Sequence, residues 1–90
     1  LQAARALLYK AAWKLDHKTP DAGKFCAMAK QFVTDAAFET ANDALQIHGG
    51  YGYLADYGME KIVRDLRVHQ ILEGTNEIMR MIVSRALLAA

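Results

Sequence analysis

Ninety residues suffice for one small domain, which buries only about 60 to 65% of the surface its unfolded chain exposes, yet 53% of this chain is apolar, more than a small, fully solvated domain usually carries. The excess implies that some apolar surface faces another subunit or a further part of the same protein. A formal charge of +1, with acids and bases interspersed, gives no long-range field for a polyanion, which argues against nucleic acid, and no apolar run is long enough to cross a bilayer.

From Leu1 to Leu15, residues such as Ala4, Leu7, Leu8 and Ala11 recur at three- and four-residue spacing, which predicts an amphipathic helix over about residues 1–17. His17-Lys18-Thr19-Pro20-Asp21 breaks the pattern, with Pro20 or Asp21 suited to the first turn or cap of a second helix. Phe25, Ala29, Phe32, Ala36, Thr40 and Ala44 form a stripe reaching Ile47, so that helix is long and ends at Gly49 or Gly50; its small residues allow close packing. The single Cys26, beside Phe25, Ala27 and Met28, reads as a buried, inert thiol in a reducing compartment. Asp56 can cap a third helix carrying Met59, Ile62, Val63 and Leu66, and Thr75 a fourth in which Ile78, Ile82 and Ala86 share a face. Trp13 is assigned to core or interface. The expectation is an all-α fold, an antiparallel up-down bundle of about four helices filling residues 1–90 without an internal boundary. Beginning inside a helical pattern without an initiating methionine, the chain reads as part of a longer polypeptide.

Two segments can carry chemistry. In Gln70-Ile71-Leu72-Glu73-Gly74-Thr75-Asn76-Glu77 an acid stands beside a glycine just ahead of a helix start. The positive helix end favours its anion and burial beside Ile71 and Leu72 opposes it, the two influences that tune a base. Gly74 would let a substrate approach the main chain, its N–H free for a carbonyl oxygen. From spacing alone, a plain turn and helix cap is the simpler reading of the same residues. In Gln46-Ile47-His48-Gly49-Gly50 paired glycines end a helix; they either close it or expose amides to a ligand, with Gln46 able to donate and accept. With no strand before it, this is not a G-x-G-x-x-G fingerprint. His17, His48 and His69 lack metal-ligand spacing, so no metal site is expected. Arg64, Asp65 and Arg67 suit a phosphate or an ion network, and Tyr51, Tyr53 and Tyr57 a pocket or packing around the glycine-rich turn.

Nearly the whole chain resembles the C-terminal helical domain of acyl-CoA dehydrogenases. Three motifs carry the resemblance in the family's order and spacing: Gln46-Ile47-His48-Gly49-Gly50-Tyr51-Gly52-Tyr53, Val63-Arg64-Asp65-Leu66-Arg67-Val68, and Ile71-Leu72-Glu73-Gly74-Thr75-Asn76-Glu77-Ile78. It implies an FAD flavoprotein, a homotetramer or dimer, that oxidises acyl-CoA thioesters to 2-enoyl-CoA and passes electrons to an electron-transfer flavoprotein. It also implies Glu73 as the base that takes the pro-R α-proton, with Gly74 and Leu72 on the substrate side. Thr75, Asn76 and Glu77 would touch FAD of the same subunit, and Gln46, Ile47, His48, Gly49 and Gly50 FAD of a neighbouring one.

Many members carrying the acid place Tyr before it. Leu72 stands there in this chain, with Met79-Arg80-Met81 following, a pattern most similar to isobutyryl-CoA dehydrogenases and hence to a short or branched acyl chain. The resemblance implies the cytoplasm in a bacterium and the mitochondrial matrix in a eukaryote. The family's N-terminal helical domain, middle β domain and the opening helix of this bundle lie outside the ninety residues, so the isolated chain is expected to turn over little or not at all. Two rivals stand beside this reading: a helical oligomerisation module whose glycines serve packing alone, and a related FAD oxidase on the same scaffold.

Overall fold

Alanines set the architecture, because they let helices approach a single long one closely. In the computed structural model, which describes residues 1–89, helix α1 is Gln2–Asp16, α2 Ala22–His48, α3 Met59–His69 and α4 Asn76–Ala89, and two 3₁₀ turns, Gly49–Tyr53 and Ala55–Tyr57, join α2 to α3. There is no strand among the described residues. The 27 residues of α2 extend about 40 Å, and α1, α3 and α4 each pack on α2 and not on one another. All three run antiparallel to it. The start of α3 lies by Leu45 and Gln70 bonds Asp35, while α4 begins against Gln31 and Thr34 and ends beside Pro20 and Lys24. Up and down alternate through α1, α2 and α3; α4 then continues in the sense of α3, end to end along α2, since residues 70–75 sidestep rather than reverse the chain.

Helix limits fall close to those read from periodicity. Gly49, at φ 63°, ends α2, and the Thr75 hydroxyl accepts the Ile78 N–H at 3.3 Å to cap α4. Asp21 stands at the start of α2, but its carboxylate takes Lys14 Nζ at 3.0 Å and the Thr19 hydroxyl at 2.8 Å rather than a helix amide. The cap assigned to Asp56 is wrong. Asp56 lies within the second 3₁₀ turn, and Gly58, at φ 77°, occupies the cap of α3. Leaving that tight turn demands a left-handed residue, which glycine adopts without steric cost.

The buried residues among those described are Ala4 and Ala11 of α1, Ala22, Ala27, Ala29 and Ala41 of α2, Gly52 of the first 3₁₀ turn, and Asn76 and Met79 of α4, so the apolar core is made of alanines and one methionine. Cys26 is half-buried rather than buried. Trp13 is not core; it is 55% exposed and stacks on His17 with ring centroids 3.9 Å apart. The accessible surface of 6465 Å² exceeds the roughly 5,200 Å² of a compact monomer this size, and the radius of gyration of 15.6 Å exceeds the usual value of about 12 Å. The apolar excess of the composition therefore lies at the surface, on Leu8, Tyr9 and Leu15 of α1 and on Ile78, Met81, Leu87 and Leu88 of α4. No helix among the described residues is long and apolar enough to cross a membrane.

Gly52 fixes how the glycine-rich turn folds back on α2. A Cβ there would lie 2.6 Å from the Leu45 carbonyl oxygen and 3.0 Å from His48 Cβ, so backbone must move to admit one. Gly52→Ala should cost about 1 to 3 kcal/mol, measured as a lowered denaturant midpoint of the full-length parent protein.

Candidate functional site

The loop between α3 and α4 is built from the end of one helix to the cap of the next. Ile71 and Leu72 both donate their N–H to the Val68 carbonyl at 2.9 Å, winding the chain tightly past the end of α3. Glu73 (φ 59°) and Gly74 (φ 89°) then follow in the left-handed region. The conformation is natural for glycine but costs a residue with a Cβ about 1 to 2 kcal/mol. Two consecutive left-handed residues persist only where their surroundings impose them.

Here the surroundings are a polar cluster on α2. The Asn76 N–H donates to the Gln70 carbonyl at 3.1 Å and closes the loop on itself. Lys30 Nζ donates to the Gly74 carbonyl at 2.7 Å and to Asn76 Oδ1 at 2.6 Å. Asn76 Nδ2 donates in turn to Asp35 Oδ1 at 2.6 Å and to the Thr34 hydroxyl at 2.9 Å, which leaves Asn76 only 3% exposed. Gln31 and Gln70 add donors to Asp35 at 2.8 Å each, and Arg80 lies 3.5 Å away. Burial opposes the charge of Asp35, but the bonds from Gln31, Gln70 and Asn76, with Arg80 alongside, outweigh it and hold the carboxyl below its ordinary range. No buried side-chain polar atom among the described residues lacks a partner.

Glu73 contrasts with this clamp. Its side chain is exposed and makes no hydrogen bond or ion pair among the described residues. Leu72 and Gly74 flank it, also exposed, and Thr75 and Glu77 follow at the start of α4, Glu77 pairing with Arg80 at 3.4 Å. A Cβ on Gly74 would meet Met79 Cε at 2.8 Å, and its positive φ disfavours a side chain in any case. The loop thus presents a carboxylate, a bare stretch of main chain and a helix N-terminus together. The Asn76 side chain, fully bonded to α2, supports this arrangement from beneath.

The second segment lies elsewhere. Gln46 is sixteen residues beyond Lys30 along α2, about 24 Å at 1.5 Å per residue. Gln46, Ile47, His48, Gly49 and Gly50 are all exposed, and His48 Nδ1 is turned back to the Ala44 carbonyl at 2.8 Å. A Cβ on Gly49 or Gly50 would meet nothing within 4 Å, and an open groove runs past Leu45, Gln46 and Tyr53. One chain therefore brings Leu72 to Glu77 together and keeps Gln46 to Gly50 apart from them. The Arg64 cluster resolves into helix ion pairs, Arg64 with Glu60 at 2.5 Å and Lys61 with Asp65 at 2.6 Å, while Arg67 bonds Gln70 at 3.0 Å. Tyr51 stacks on Tyr57 at 5.3 Å across the turn.

Sequence reasoning overlooked Lys30, Gln31, Thr34 and Asp35. Their signal was present: four polar residues on adjacent turns of one face of a largely apolar helix, a pattern that calls for a buried polar partner.

Comparison with known proteins assigns the scaffold. Residues 1–88 match the family model described as acyl-CoA dehydrogenase, C-terminal domain. The chain belongs to this family. Among curated acyl-CoA dehydrogenases it is 56% identical over 88 residues to the mitochondrial isobutyryl-CoA dehydrogenase of Bos taurus, an alignment covering 98% of this chain and 21% of that protein. Butyryl-CoA dehydrogenase from Megasphaera elsdenii superposes with a TM-score of 0.91 at 42% identity, over 97% of this chain and 22% of the other. The FAD complex of PigA superposes at 0.90 and 31% identity, over 96% and 22% of the two chains. The chain thus spans about a fifth of the length of the acyl-CoA dehydrogenases it matches, and the all-helical fold is shared across that span.

Proposed function

We propose that the parent protein is an FAD-dependent acyl-CoA dehydrogenase that converts a short or branched acyl-CoA to its 2-enoyl-CoA, with Glu73 as the base for the α-proton. The observation that carries this reading is the left-handed Glu73–Gly74 pair, clamped to α2 with its carboxylate left without a protein partner. Strain of this kind collects at functional sites, and a carboxylate that bonds nothing in its own chain is available to a substrate. The similarity to isobutyryl- and butyryl-CoA dehydrogenases supports the acyl class.

In this scheme Glu73 accepts the α-proton, a positioned transfer worth about 10²- to 10⁴-fold. Gly74, lacking a side chain, admits the thioester to the main chain, and Leu72 offers it an apolar wall. The residues present also fit FAD. Open space over Gly49 and Gly50 beside the Gln46 amide suits a flat, polar-edged ligand, and the α4 N-terminus at Thr75 and Glu77 favours an electron-rich group, whereas Asn76, its side chain bonded to Lys30, Thr34 and Asp35 and its N–H to Gln70, would support that group from beneath rather than bond it. When bound, FAD supplies the acceptor for the hydride leaving the β-carbon. By the family resemblance, Thr75 to Glu77 would lie at the flavin of their own subunit and Gln46 to Gly50 at that of a neighbour, a division with which the roughly 24 Å between the two segments along α2 is consistent. A homotetramer or dimer follows, with an electron-transfer flavoprotein as the oxidant, in the cytoplasm of a bacterium or the mitochondrial matrix of a eukaryote.

The test is made on the full-length parent protein. It should purify with flavin absorbance that anaerobic isobutyryl-CoA or butyryl-CoA bleaches. A colourless preparation that FAD does not reconstitute would instead favour the oligomerisation module, and a yellow one unaffected by any acyl-CoA a different flavoenzyme on this scaffold.

A further inference from the structure

Lys30 takes no part in the proton transfer, yet it grips the loop that would perform it. It is half-buried about a third of the way along α2 and forms no ion pair among the described residues. Its ammonium is instead directed at two neutral oxygens, the Gly74 carbonyl at 2.7 Å and Asn76 Oδ1 at 2.6 Å. A lysine placed for stability alone gains most from a carboxylate or from water. This one draws charge-assisted bonds from the peptide immediately after the left-handed Glu73–Gly74 pair. Its second acceptor is held in turn: Asn76 Nδ2 is fixed by Asp35 at 2.6 Å and Thr34 at 2.9 Å, so the ammonium sits against a rigid oxygen on one side and the loop on the other.

The geometry points to Lys30 as a positioning residue for Glu73: through the Gly74 carbonyl it holds the left-handed pair in the conformation that aims the carboxylate, without itself meeting substrate. This inference rests on the reading of Glu73 as the base. Once the bond is removed, no other hydrogen bond among the described residues reaches the Gly74 carbonyl, and the Asn76 N–H on Gln70 fixes only the far end of the loop. Glu73 then regains the ordinary φ region that its Cβ prefers, and its carboxylate swings away from the reacting carbon.

The experiment follows anaerobic flavin reduction by isobutyryl-CoA in the FAD-loaded full-length enzyme by stopped flow. Lys30→Met should lower the limiting reduction rate about 10- to 100-fold, the scale of a misplaced catalytic group, with FAD content and half-saturating substrate unchanged, and Lys30→Arg should recover most of the loss. A wild-type limiting rate in Lys30→Met, or an effect on half-saturation alone, would overturn the inference. Should Lys30→Met shed FAD or fail to fold, Lys30→Gln, which keeps a neutral donor, decides instead: a slowed limiting rate with full FAD content upholds the positioning role, and a wild-type rate or a loss matching lost FAD ends it. Failure of the underlying reading looks different. In that case no acyl-CoA bleaches the wild type, or Glu73→Gln is bleached as fast as wild type.

Discussion

Glu73→Gln in the full-length parent protein is expected to slow flavin bleaching by isobutyryl-CoA by at least about 10²- to 10⁴-fold, the full value of a positioned base. Glutamine keeps the length and shape of the side chain and removes only its capacity to take a proton. Because the Glu73 carboxylate bonds no other described residue, the substitution breaks no internal contact, so FAD content and unfolding midpoint should stay at wild-type values. Glu73→Gly sharpens the test. Glycine occupies φ 59° without the cost of about 1 to 2 kcal/mol that a Cβ incurs there, so this variant should unfold later than wild type while being equally unable to reduce its flavin. A gain in stability paired with loss of chemistry is the signature of strain kept for function. Near-normal bleaching of either variant would remove Glu73 from the mechanism.

How much of this was legible beforehand depended on whether the information was local. The periodicity of α1 and α2, the glycine that ends α2 and the threonine that caps α4 are decided within a few residues, and they were readable. Asp56 was misassigned because the second 3₁₀ turn, Ala55–Tyr57, takes the acid into itself and leaves Gly58 at the start of α3. Cys26 was expected inside and Trp13 in the core or at an interface, but among the described residues α2 is covered by three helices, and too little structure surrounds either to bury it. At the site, Glu73 and its neighbours stood out by residue type. Its left-handed backbone did not, since nothing in a glutamate announces positive φ. The reason for it lies about forty residues away in sequence, in Lys30 and Asp35, which come into view only when α4 is laid along α2.

That long-range clamp yields the second large effect. Asn76→Leu removes the donor 2.6 Å from Asp35 and the acceptor 2.6 Å from Lys30, leaving a partly buried carboxylate and an ammonium each short of a partner, and should destabilise the protein by about 2 to 3 kcal/mol at neutral pH. Leucine has the same branching and is the larger side chain, so a cavity is not the cause. The pH dependence identifies the source. Asp35 is held below the usual carboxylate range by Gln31, Gln70 and Asn76 against the pull of burial. A depressed carboxyl contributes stability that is present above its unfolded pKa, about 3.9, and is lost as pH falls through the lower folded value. Without Asn76, Asp35 returns toward its ordinary range and carries less of that contribution. The gap between wild type and Asn76→Leu should therefore be widest near neutrality and narrow below about pH 4, as read from denaturant midpoints across the pH range. A gap independent of pH would mean that leucine merely fits badly. With the clamp loosened, the variant should also reduce flavin more slowly at neutral pH even where it is fully folded, because the loop that presents Glu73 is fastened through Asn76.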